Sequence, residues 1–174
     1  MRLLKGFIIT IFGFFVVITL VSLLMPSTVV TSRTISIAAD QADIMQQVGD
    51  LHNWRNWHPL FVAQPIEIAR KGSKQEARWM SNGKENTLAL QSATPDEARF
   101  TLLQTGENAQ ENKISLLQYK DSVSVYVEWS ALTRLKWYLW EKFSGIFVDK
   151  VTGPGYEAAL ASLKDYVEKL NREN

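Results

Sequence analysis

The chain has 174 residues, 19 Lys+Arg against 18 Asp+Glu, and no cysteine, which is the size of one ordinary domain with an appendage. Disulfides, thiolate metal sites and cysteine nucleophiles are therefore excluded. Charge of both signs is spread without a basic run, which argues against a nucleic-acid partner, since phosphate binding needs a clustered positive surface.

The appendage comes first. From Phe7 to Met25 the chain reads FIITIFGFFVVITLVSLLM, with no charge and no proline. As a helix, about 19 residues rise about 29 Å, close to the ~30 Å hydrocarbon thickness of a bilayer. A cleavable signal would have a shorter apolar core ending in a small-x-small site, a pattern that LLMPSTVVTS lacks. The expectation is an uncleaved transmembrane anchor over residues 1–26 and a folded domain over 27–174. Arg2 and Lys5 precede the apolar run and only Arg33 follows it closely. That asymmetry places the amino terminus in the cytoplasm and the domain outside, with the lipid bilayer as partner of a single-pass protein. Without Arg2 and Lys5 the balance is 17 basic against 18 acidic residues.

Beyond Pro26, Ser27–Ile37 is rich in β-branched residues and predicts a strand. Asp40 is a candidate N-cap for a short helix over Gln41–Val48 that buries Ile44, Met45 and Val48 and stops at Gly49. The segment DLHNWRNWHP, Asp50–Pro59, follows as a second short helix or turn ended by Pro59. It holds both histidines and two of the six tryptophans.

Strands and turns come next. PIEIAR, QEARWM, ENTLALQS, ARFTLLQ, NKISLLQY and SVSVYVEWS are separated by KGSK, SNGK, TPDE, TGEN and KD. Asn82-Gly83 is a strong two-residue hairpin signal, and Pro95 suits the second position of a type I turn. Six consecutive strands with short connections make an antiparallel meander. In the last, Val123, Val125, Val127 and Trp129 share one face.

From about Tyr138 the period becomes helical. Tyr156, Ala159, Leu160, Leu163, Val167 and Leu170 form one stripe. Pro154, between two glycines, either opens a second helix behind Gly153 or kinks one long helix. The whole order is an α+β, helix-grip arrangement: a seven-stranded curved antiparallel sheet around a long C-terminal helix, with two short helices after strand 1. The interior space of such a shape is the usual place for a small apolar ligand.

TVVTSRTISIAADQADIMQQVGDLHNWRNWHP, with its D-x-x-N-W-x-x-W-x-P segment, resembles the opening of the START-like superfamily, also called SRPBCC or polyketide cyclase/dehydrase-like. SGIFVDKVTGPGYEAALASLKDYVEKL is similar to the G-x-x-x-E-x-x-L-x-x-L-K ending of bacterial members with an N-terminal membrane segment. Asp50, Asn53, Trp54, Trp57, Pro59, Gly153, Leu160, Leu163 and Lys164 carry the resemblance. The proline usual after the first strand is absent, with AAD in its place. The resemblance implies a helix-grip fold with a hydrophobic cavity, in a superfamily of lipid carriers, aromatase/cyclases and proteins without assigned activity. It therefore leaves function open, and the expected location is the bacterial inner membrane with the domain periplasmic or extracytoplasmic.

No metal, cofactor or catalytic residue is expected. His52 and His58 are six residues apart, not at the spacing that puts two imidazoles on one helical face, and they are expected as bystanders on the surface. No serine stands in a G-x-S-x-G context. Trp54 and Trp57 either plug one end of the core or line a pocket mouth. The expected ligand wall is Trp54, Trp57, Ile66, Ile68, Trp79, Leu88, Leu90, Phe100, Leu102, Val123, Val125, Val127, Trp129, Tyr156 and Leu160, with Arg70 or Tyr126 as polar groups able to reach in. RLKWYLWEKF, with Trp137, Tyr138, Trp140 and Phe143 among cations, either folds its aromatics onto the sheet or touches lipid headgroups. Three functions stay open: a binding domain for a hydrophobic small molecule or lipid, a cyclase/dehydrase-type enzyme, and an interaction module with a filled core.

Overall fold

A computed structural model describes residues 2–72, 74–119 and 122–173; Ser73 and Lys120-Asp121, in two of the expected turns, lie outside them. The helix α1 (Arg2–Leu24) leads into β1 (Thr28–Ile37), α2 (Gln41–Val48), α3 (Trp54–Trp57) and α4 (Pro59–Ala63). The meander follows as β2 (Glu67–Lys71), β3 (Lys74–Ser81), β4 (Lys84–Ala93), β5 (Glu97–Gln104), β6 (Gln110–Gln118) and β7 (Val125–Arg134). The chain then forms α5 (Leu139–Glu173).

The seven strands form one antiparallel sheet in the order β1-β7-β6-β5-β4-β3-β2. β1 closes onto β7 over ten residue pairs, from Thr28 opposite Arg134 to Ile37 opposite Val125. Asn82 and Gly83 take φ of 51° and 72°, the left-handed pair that a two-residue hairpin needs and that glycine adopts without a Cβ clash. A register shift between Leu90 and Ser92 of β4 adds curvature.

One expectation changes at a proline, and an open alternative closes at another. Pro59 opens α4 rather than ending α3, because its missing N–H and fixed φ suit a first helical position. Pro154 stands inside one continuous α5. The close approach comes at the preceding residue: a Cβ on Gly153 would lie 2.2 Å from Nη2 of Arg33. That guanidinium bonds Asp149 at 3.0 Å and Glu157 at 2.5 Å, one helical turn before and after the glycine. These two carboxylates hold Arg33 firmly protonated, and the Arg33 hydrogen bond holds Asp149 below the usual carboxylate range.

β1 and α5 run side by side. Val29 lies at Gly145, Arg33 at Gly153, and Glu168 accepts the backbone N–H of Ala38 at 3.1 Å. The core lies between α5 and the inner sheet face. Ile37, Ile44, Val48, Leu51, Trp57, Leu90, Phe100, Ile114, Val125, Val127, Leu160 and Leu163 are buried there in one cluster. α1 is apolar and long enough to cross a membrane, over Lys5–Leu24, and is almost wholly exposed.

Candidate functional site

The segment Asp50–Pro59 is built to close one end of the domain. The last carbonyls of α2 have no intrahelical partner. Asn53 Nδ2 donates to Gln46 O at 2.8 Å, Trp57 Nε1 to Gln47 O at 3.3 Å and Trp54 Nε1 to Val48 O at 2.9 Å. Three side chains of the D-x-x-N-W-x-x-W-x-P segment thus cap α2, and both indole faces are free to pack. Asp50 ties the other side. Its partial burial favours the neutral carboxyl, but the N–H and ring of His52 and the charge of Arg70 together hold it below the usual range.

Trp54 joins this corner to a cavity. Its ring centroid is 5.0 Å from His58, nearly parallel, 5.0 Å from Phe100 and 5.6 Å from Trp129, both edge-on. Beyond it, between sheet and α5, lies a cavity of about 300 Å³. Its walls are Trp54, His58, Leu60, Phe61, Trp79, Leu88, Leu102, Asn112, Trp129, Val151, Thr152, Gly155 and Tyr156. None of these carries a permanent charge. Val151 and Gly155 are exposed and Leu60, Trp79 and Leu102 partly so, which marks that side as the mouth. A larger depression beside Met45, Asp50 and Pro95 is an open surface groove away from the sheet–helix space.

Polar groups gather at the inner wall. Asn112 Oδ1 accepts from Trp129 Nε1 at 3.2 Å, and the Tyr156 hydroxyl points at Gln110 Oε1 at 3.1 Å and Asn112 Oδ1 at 3.3 Å. Burial pushes the Tyr156 hydroxyl up to about 12, so it stays a donor at neutral pH. His58 is a correction to the sequence reading, which set it on the surface. Its Nδ1 accepts from Leu60 N at 3.2 Å and caps α4. Desolvation lowers its pKa to about 4, so the imidazole is neutral at pH 7.

The expected wall divides in two. Trp54, Trp79, Leu88, Leu102, Trp129 and Tyr156 line the cavity. Trp57, Ile66, Leu90, Phe100, Val125, Val127 and Leu160 are buried in the solid core, with Ile68 packed at its border. Val123 is 87% exposed, because β7 begins two residues later and Val123 belongs to the turn before it. Arg70 and Tyr126 are exposed and do not line the cavity. His58, Leu60, Phe61, Asn112, Val151, Thr152 and Gly155 escaped the sequence reading. Only the apolar character of PLFVA hinted at any of them.

Among the described residues no cluster of three metal-ligating side chains occurs. No protein-family model and no curated protein matches the sequence. Solved structures share the fold. A START superfamily protein from Mycobacterium smegmatis matches with a TM-score of 0.60 at 20% identity, over 81% of this chain and 98% of its own. A Thermobifida fusca protein matches with a TM-score of 0.65 at 17% identity, over 81% and 94%. The di-domain ARO/CYC StfQ from the steffimycin biosynthetic pathway matches with a TM-score of 0.64 at 10% identity, over 83% of this chain and 52% of its own.

Proposed function

We propose that the chain is a membrane-anchored START-like binding protein that holds one neutral hydrophobic molecule, a lipid or other small apolar compound, between sheet and α5. The observation that carries this reading is the cavity itself: aromatic and aliphatic walls, no permanently charged side chain, and a few polar groups on one side. Such a lining rewards burial of apolar surface at about 25 cal/mol per Å² and penalises a charged ligand left without a counter-ion. With Nδ1 of His58 engaged by Leu60 N, the neutral ring carries its proton on Nε2. That N–H and the Asn112–Tyr156 pair suit a ligand with a carbonyl or hydroxyl at one end. The volume is at the lower end of the range for small-ligand sites, which fits a short acyl or ring compound.

Anchoring rests on the apolar run Lys5–Leu24 and on Arg2 and Lys5, which favour a cytoplasmic amino terminus and a domain on the far side of the inner membrane. A reporter fused after Asn174 is expected to be active only outside the cytoplasm. The ligand is tested by native mass spectrometry and organic extraction of the detergent-purified protein. A bound neutral hydrophobe is expected; empty protein that also takes up no apolar probe overturns the reading. A cyclase/dehydrase-type activity in the same cavity is the second reading, favoured by His58 and Tyr156 on its wall. It predicts turnover of a polyketide-like substrate that His58→Phe abolishes while binding persists.

A further inference from the structure

The N-terminal half of α5 carries its apolar residues on the outside. At about 100° per residue, Lys142, Gly145, Asp149 and Gly153 share the face that meets β1, Arg33 and the end of α1. Trp140, Phe143, Phe147 and Val151 share the opposite face and are 71%, 51%, 57% and 76% exposed. Farther along that outward face stand Ala158, Ala161, Asp165 and Lys169, small or charged. The change from aromatic to polar falls at Pro154. An aromatic strip of this length on a soluble surface marks a partner.

The neighbouring helix says which partner. Ser22, in the last turn of α1, is buried, and its hydroxyl donates to Trp137 O at 2.5 Å. The ammonium of Lys142, also buried, donates to Ser22 O and Met25 O, each at 2.8 Å. Carbonyls at a helix C-terminus lack intrahelical partners and carry partial negative charge, so a cation there is favourable. Ser22 also belongs to the apolar run Lys5–Leu24. A segment bonded to Ser22 therefore lies at the depth where that run leaves the hydrocarbon, the level at which tryptophan and tyrosine are enriched.

We propose that the outward face of α5 from Trp140 to Val151 is a bilayer-docking surface, held to the anchor by Lys142, which sets the mouth of the cavity against the lipid. It rests on reading α1 as a membrane span. Val151 belongs both to the exposed strip and to the cavity wall. The cavity also sits toward the anchor end of the sheet. Trp129 on its wall pairs with Arg33, near the middle of β1, whereas core residue Val125 pairs with Ile37 at the far end. A hydrophobe passes from bilayer to cavity along Val151 and Gly155 without crossing bulk water.

The chain has no cysteine, so single-cysteine variants can carry a fluorophore. Full-length Phe143→Cys and Phe147→Cys are labelled in vesicles of phosphatidylethanolamine and phosphatidylglycerol doped with nitroxide-bearing acyl chains. Phe12→Cys reports the span and Leu117→Cys an exposed site on the sheet. Quenching at 143 and 147 is expected to exceed that at 117 several-fold and to fall at least twofold at 147 in Lys142→Met. Labels at 143 and 147 that behave like the one at 117, with 12 still quenched, overturn the docking surface and leave the anchor standing. Loss of lipid quenching at 12 together with 143 and 147 overturns both. Unchanged quenching at 147 in Lys142→Met, with the domain's near-UV circular dichroism retained, removes Lys142 from the proposal.

Discussion

His58 shows how far one side chain's role depends on surroundings that its sequence neighbours do not reveal. Its pKa is about 4 in the fold against an ordinary 6.5, and between those values the unfolded chain binds more protons. Stability from this burial is fully present above about pH 6.5 and is lost as pH falls toward 4, on the order of 3 kcal/mol in all. Urea midpoints of the detergent-solubilised protein should fall over that window in the parent and stay flatter in His58→Asn, which keeps an acceptor at the cap. Equal slopes would sink the assignment. Two glycines of α5 make a second contrast. At Gly155 a Cβ meets nothing within 4 Å, so Gly155→Ala should gain up to about 1 kcal/mol from helix propensity alone. At Gly153 the same atom would meet the Arg33 guanidinium held between Asp149 and Glu157, so Gly153→Ala should gain less than Gly155→Ala, the displaced side chain offsetting the propensity. A rise in melting temperature in Gly153→Ala as large as that in Gly155→Ala would contradict the packing described.

At the scale of elements, local patterning was a good guide wherever one residue type settles a backbone choice. Asn82-Gly83 gives the hairpin that its left-handed φ values require, and α2 spans Gln41–Val48 between Asp40 and Gly49 as expected. Pro154 was ambiguous because proline is compatible with both a helix start and a kinked interior. The continuous α5 follows from packing against β1 through Gly145 and Gly153, a contact more than a hundred residues away in sequence. β7 was read with the right face but three residues too early, from Ser122 rather than Val125, which is why Val123 left the wall. Alternation gives the phase of a strand and says little about where its pairing stops.

For the molecule as a whole, one concave face is divided between solid core and open cavity. Near α2 and the C-terminal half of α5, Trp57, Leu90, Phe100, Leu160 and Leu163 fill it. Toward the end nearer α1, Trp79, Leu88, Leu102 and Tyr156 leave about 300 Å³. Leu102→Trp should occupy that space, so ligand recovered by extraction should drop several-fold while the fold persists. Undiminished recovery would place the ligand elsewhere.

The apolar run before Pro26, the order of strands and helices, and the Asp50–Pro59 corner could be read directly, because each rests on periodicity or capping among residues close in the chain. The division of the inner face into core and cavity, the burial of His58, and the outward aromatic strip of α5 beside the end of α1 could not. Each depends on how far apart two elements stand after folding, and that distance is set jointly by β1, α5 and the meander. The corner of two tryptophans and two histidines was expected to supply family marks and, through its tryptophans, a plug or a pocket mouth. In three dimensions it also supplies the neutral imidazole on the cavity wall.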